Sequence, residues 1–112
     1  MANITITGSN SETGELTLSD HGHSNAKRKE TIVWNLGNNC GVASIVEIAM
    51  KPSPPSTNIF STPPHSLGSS TNWSAVVNNT VAISSEYIYF IKWMPTTGGD
   101  IKTCDPKISI IP

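Results

Sequence analysis

An all-β sandwich or barrel is the fold this chain predicts, and three observations carry the prediction. Apolar and polar residues alternate in short segments bounded by Gly, Pro, Asn and Ser, the pattern of half-buried strands. No segment forces a helix of ordinary length. Charged residues make up only 13% of the chain, about half the usual share, so Ser, Thr and Asn must supply the polar surface. Those side chains compete for backbone hydrogen bonds and suit strands and turns better than helix interiors. One domain over residues 1–112 is long enough to bury about two-thirds of its unfolded surface.

Asn3–Thr7 alternates, with Ile4 and Ile6 on one face, and opens the chain as a strand. A Ser, Asn and Gly turn leads to Glu15–Ser19, where Leu16 and Leu18 point inward, so the two segments form a hairpin. Asp20–His23 is a turn feeding a strand that ends at Lys27-Arg-Lys-Glu30. Four consecutive charges cannot be buried without partners, so this is a solvated turn and not a nucleic-acid patch. Thr31-Ile-Val-Trp34 then places Ile32 and Trp34 on one face. Val42–Met50 fits either a helical face (Val42, Ile45, Val46, Met50) or a strand face (Val42, Ser44, Val46, Ile48). Gly41, Pro52 and its β-branched content favour the strand.

Lys51–Thr71 holds Pro52, Pro54, Pro55, Pro63 and Pro64. It reads as a surface excursion pinned by Ile59, Phe60 and Leu67, since proline has no donor for a central sheet. Trp73–Val77 and Val81–Ile83 are expected as short strands. Glu86–Met94 carries apolar residues on both faces, which predicts a strand covered on both sides. Ile101–Cys104 and Lys107–Ile111 close the chain as its last strands.

Taken in order, these pieces resemble the cupredoxin fold. Asn25–Trp34 is similar to that family's run of strand, tight turn and Trp-bearing strand, Glu86-Tyr-Ile-Tyr-Phe90 to its tyrosine-rich strand, and Asp105-Pro-Lys-Ile-Ser-Ile110 to its closing strand. Small uncharacterised bacterial proteins look similar over the whole pattern. The resemblance implies a Greek-key sandwich. A blue-copper centre needs two imidazoles and a thiolate. Neither loop where the family places its imidazoles contains a His here, so the resemblance implies a reused fold without that centre.

The net charge of −1 gives no field to attract phosphate or anionic lipid. No apolar run is long enough to span a membrane. Met1–Ile6 lacks the basic and apolar regions of a secretion signal, which points to the cytoplasm. His21 and His23 read as exposed turn residues or as a metal-binding pair, and His65 as a loop residue. Asp20, Asp100 and Asp105 read as turn formers. On a cupredoxin-like path His21, His23, Cys40 and Cys104 would reach one end of the sandwich, where they would match a tetrahedral zinc set. A Cys40–Cys104 disulfide and two free thiols are the competing outcomes. No nucleophile elbow appears. The expected function is a non-enzymatic binding or interaction module for a protein or small ligand. It would need no cofactor, nucleic acid or membrane. Metal handling through His21 and His23 is the second reading. The third is carbohydrate binding, if Trp34, Trp73 or Trp93 is exposed.

Overall fold

Ten strands in two packed sheets make up the computed structural model, which describes residues 2–52, 57–68 and 71–112. They are β1 (Ala2–Ser9), β2 (Leu16–Leu18), β3 (His23–Ala26), β4 (Thr31–Leu36), β5 (Val42–Met50), β6 (Phe60–Ser66), β7 (Trp73–Val77), β8 (Glu86–Pro95), β9 (Lys102–Cys104) and β10 (Lys107–Ile110). One sheet has the order β2-β1-β4-β7-β6. The other runs β3-β10-β8-β5, with β9 also paired to β8. Both are mixed, because β1 lies parallel to β4 and β3 parallel to β10. No helix long and apolar enough to cross a membrane is present among the described residues.

Alternation decides what lies between the sheets. Ile4, Ile6, Ile32, Trp34, Ala75 and Val77 face inward from the β1 sheet, and Tyr87, Tyr89, Ile91, Trp93, Ile108 and Ile110 from the β8 sheet. Two indole N–H groups are satisfied inside this core. Trp34 Nε1 donates to the Tyr89 hydroxyl at 3.2 Å, from one sheet to the other, and Trp93 Nε1 donates to the Gly14 carbonyl at 2.9 Å. The second bond pins the β1–β2 turn over β8. Gly14 has φ +84, and a Cβ there would lie 2.9 Å from the Thr103 carbonyl, so only glycine allows this close approach.

The charged turn is tied down as well as solvated. Lys29 N–H donates to the Val77 carbonyl, Val77 N–H to the Glu30 carbonyl, and Arg28 Nε to the Val81 carbonyl at 2.6 Å. This use of Val81 bears on one departure from the sequence reading: residues 81–83 form no strand but a turn approach with Val81 buried.

Further expectations need correction. In β5 the buried residues are Val42, Ile45 and Ile48, neither pattern read from the sequence, because the register shifts between Val42 and Ser44 and again between Ile45 and Glu47. Each extra residue turns a two-residue repeat into three. Part of the proline-rich excursion is the edge strand β6, which places His65 in a strand. Pro63 and Pro64 fall in its register gap between Thr62 and His65, where no donor is required. Pro54 and Pro55 lie outside the described residues. Ile59 and Phe60 are buried, but Leu67 is 41% exposed and lies outside the core, its N–H donating to the Asn72 carbonyl at 3.0 Å. Leu16 is half-buried against the core's margin.

A last correction concerns β8. Its burial alternates strictly: Tyr87, Tyr89, Ile91 and Trp93 are buried, while Ile88, Phe90 and Met94 are half-exposed. Ion pairs take the place of a covering layer. Lys51–Asp105 (3.3 Å) reaches across β8, Lys92–Glu47 (3.6 Å) and Lys107–Glu86 (3.3 Å) flank it, and Lys92 Nζ stands 5.3 Å from the Phe90 ring centroid. Lysine stems can shield apolar surface while their ammonium groups stay wet. Ile91→Ala should therefore cost about 2–5 kcal/mol and Phe90→Ala only about 1–2 kcal/mol, well below the 3–5 kcal/mol of a fully buried Phe. Urea unfolding checks this, and equal losses would mean that the outer face of β8 is covered.

Candidate functional site

The chain passes from β2 in one sheet to β3 in the other through Ser19–Gly22, and this crossing builds a pocket. His21 has φ 58 and Gly22 has φ 85, the paired positive angles of a type I′ turn. Asp20 holds the turn: Gly22 N–H donates to Oδ1 at 2.8 Å, and the buried Ser24 hydroxyl donates to Oδ2. His23 N–H closes the turn on the Asp20 carbonyl. Asp20 thus acts as the turn former expected of it.

Beside this turn the margin of one sheet faces the margin of the other across a cavity of about 280 Å³. Leu16–Leu18 and Cys104–Pro106 line it together with His21 and Gly22. Thr17, His21 and Asp105 are exposed on the rim, while Leu18 and Pro106 are buried. The pocket therefore combines the apolar Leu16, Leu18 and Pro106 with an imidazole, a thiol and a carboxylate in about equal share, and Asp105 is drawn toward Lys51 at 3.3 Å.

Burial pushes the Cys104 thiol up from its ordinary range, and the Asp105 and Glu15 charges act the same way, against hydrogen bonds from the Leu16 and Asp105 backbone. The neutral thiol is the form this surrounding favours. Behind the pocket Tyr89 is buried in the core, and burial raises its hydroxyl far above the usual value, with the Asp20 and Cys104 charges adding to the effect.

Of the four residues expected to converge, the structure brings two together. His21 and Cys104 share the pocket. His23 points to the outer face of the β8 sheet, where its Nε2 shares a 2.8 Å hydrogen bond with Ser109 Oγ. Cys40 is 5% exposed, its Sγ against the Val42 carbonyl. Cys104 pairs with Ile91 and Val42 with Pro95. Those levels are four residues apart on β8, or about 13 Å at the rise of a strand. Both cysteines are free. Among the described residues no group of three or more His, Cys, Asp or Glu could hold a metal ion.

Ser109 also donates to Glu86 Oε2 at 3.3 Å, which sets Ser, His and Glu side by side on the outer face. The geometry is not that of a nucleophilic triad, because Glu86 bonds the hydroxyl itself and not the far ring nitrogen of His23. Lys107 beside Glu86 holds its carboxyl below the usual range. The pocket itself carried no sequence signal. Leu16 and Cys104 are far apart in sequence, and only the placement of β2 against β9 joins them.

The thiols give a direct check. Unreduced, denatured protein should show two reactive thiols, while in the folded protein only Cys104 should react with iodoacetamide. Its rate should rise at a higher pH than that of a free cysteine, since burial favours the neutral form. Equal labelling of Cys40, or fast labelling of Cys104 at neutral pH, would contradict the described packing.

No family model matches the chain, and no curated protein matches it.

Proposed function

We propose that the chain is a non-enzymatic binding module and that the pocket between β2 and the β9–β10 connection takes a small ligand or a single protruding side chain. The observation that carries this reading is the convergence of His21 and Cys104 on a cavity walled by Leu16, Leu18 and Pro106. Ligand sites are concave, largely apolar and supplied with a few placed polar groups. At about 280 Å³ this one falls just below the roughly 300–1,000 Å³ of drug-sized ligand pockets, which suits a small ligand. Cys104 is not set up as a nucleophile, since a nucleophilic thiol needs a lowered pKa and burial raises this one.

We further propose a cupredoxin-like Greek-key arrangement. Supporting it are the parallel pairing of β1 with β4 and the order of charged turn, Trp34 strand, tyrosine-rich strand and closing strand. The Lys27–Lys29 cations sit on a turn in which Arg28 is bonded to Val81, which favours no nucleic-acid partner. Metal handling remains the second reading. It now rests on His21 with Cys104, because His23 is engaged by Ser109. The tryptophan version of carbohydrate binding has little support, with Trp34 and Trp93 at 0% exposure and Trp73 paired beside Trp34 on the inner side.

Native mass spectrometry of protein isolated from its own cell tests the reading. Wild type should carry a small-molecule adduct, and Leu16→Trp, which fills the pocket from a half-buried position, should lose it. A metal adduct removed by Cys104→Ser would favour the second reading. An adduct retained by both variants would place the site elsewhere.

A further inference from the structure

The chain pairs some of its charges internally, and those it leaves unpaired sort by sign to opposite ends. Around β8, Lys51, Lys92 and Lys107 meet Asp105, Glu47 and Glu86. Asp20 uses both carboxylate oxygens in its own turn, and Glu30 accepts the Lys27 N–H at 3.0 Å. Among the described residues no ion pair engages the cations Lys27, Arg28, Lys29 and Lys102 or the carboxylates Glu12, Glu15 and Asp100. Three of those cations are consecutive on the β3–β4 turn, and all three carboxylates lie at the far end of the sandwich. β4 leaves the basic turn at Thr31 and ends at Leu36 beside Ile6 of the parallel β1, which runs on into the β1–β2 turn with Glu12 and Glu15. Ser9 Oγ donates to the Cys40 carbonyl and Thr96 N–H to the Gly41 carbonyl, which brings the β8–β9 turn and its Asp100 to the same end. At the strand rise β8 alone spans about 33 Å, so the 41 Å extent of the molecule follows the strands and separates the two sets. Both ends are also held. Arg28 Nε and Lys29 N–H donate to the Val81 and Val77 carbonyls, while Asn10 Oδ1 accepts the Glu12 N–H at 2.9 Å and Trp93 anchors Gly14. Turns fixed in advance lower the ordering cost of a contact.

We propose that the two ends are complementary halves of one contact, in which the basic turn of one molecule docks on the acidic end of a second copy. Charge complementarity carries this. Glu30 leaves the basic turn net positive, and Lys102 leaves the far end net negative. Either end meeting its own like in a two-fold contact would set like charges together, which is repulsive. The mixed contact is heterologous, and its halves face opposite ways along the strands, so repetition adds copies in a row and does not close a pair. Exposed ion pairs are individually weak and are screened by salt, so the rows form at high protein concentration and low ionic strength. None of the six residues lines the pocket, so this proposal and the pocket reading are tested apart.

Sedimentation velocity over a concentration series tests this, at about 0.01 M ionic strength, where the screening length is about 30 Å, and at about 1 M, where it is about 3 Å. At low salt the average sedimentation coefficient should climb with concentration past that of a dimer, and at high salt it should return to the monomer's. Lys27→Glu with Lys29→Glu makes both ends acidic, and Glu12→Lys with Asp100→Lys makes both basic, all four being exposed positions. Each double variant alone should associate at least tenfold more weakly than wild type, and an equimolar mixture of the two should recover wild-type association. Lys29 has φ 69, which asparagine tolerates, so Lys27→Ser with Lys29→Asn repeats the loss should the glutamates lower the melting temperature. A monomer at every concentration in low salt, a species that stops at the dimer, association that persists in high salt, or a mixture no stronger than its parts overturns the proposal. Wild type that stays monomeric but binds poly-glutamate through the basic turn would assign that turn to an acidic partner and overturn it as well.

Discussion

The hydrogen bond from Trp34 to Tyr89 is the constraint on which the sandwich is arranged. Trp34 sits at the middle of the β1 sheet, between its partners Ile4 on β1 and Trp73 on β7, while Tyr89 sits in the middle of β8. Both are fully buried, and their rings meet edge to face with centroids 5.9 Å apart. A buried indole N–H needs an acceptor, and the buried Tyr89 oxygen supplies one across the gap between the sheets. Tyr89 also stacks on Tyr87, which meets Phe60 edge to face at 4.7 Å, so the same seam reaches the edge strand β6. The pocket lies in front of this seam, and its Cys104 and the neighbouring Asp20 both bear on the Tyr89 hydroxyl.

A second constraint follows from how little charge the chain has. The ionic groups placed in strands are spent on the outer face of the β8 sheet, where they shield Ile88 and Phe90 in place of another layer. The opposite face is left to hydroxyls, amides, two valines and the His65 imidazole on β6. Edges are managed without charge as well. β6 carries two prolines in its register gap and β5 two bulges, devices that break the regular row of donors and acceptors an edge would otherwise offer.

Strand existence was largely legible in the residues, because Ile4, Ile6, Ile32 and Trp34 obey the two-residue period that a half-buried strand imposes. Departures arise where long-range register overrides that period. No local feature of Val42–Met50 shows that two extra residues will be extruded against β8. The apolar outer side of β8 suggests a second covering layer, whose place is taken by the ion pairs around the strand and by Lys92 beside the Phe90 ring. His21 and Cys104 were both singled out as chemistry-bearing residues, but their partnership and the exclusion of Cys40 depend on pairings of β2, β5, β8 and β9 that span most of the chain. A pocket assembled from two sheet margins has no local motif to betray it.

If the Trp34–Tyr89 bond joins the sheets as described, removing either partner must leave the other unsatisfied in a dry core. A double-mutant cycle in urea with Tyr89→Phe, Trp34→Phe and the pair measures this directly, because the cavity left by the smaller ring cancels in the cycle. Tyr89→Phe alone should cost about 1–3 kcal/mol, the penalty of a buried donor without a partner. The two changes should couple by about 1 kcal/mol or more, with the double variant more stable than the sum of the singles predicts. Additivity to within about 0.3–0.5 kcal/mol, the behaviour of independent sites, would contradict the bond and with it the placement of the two sheets.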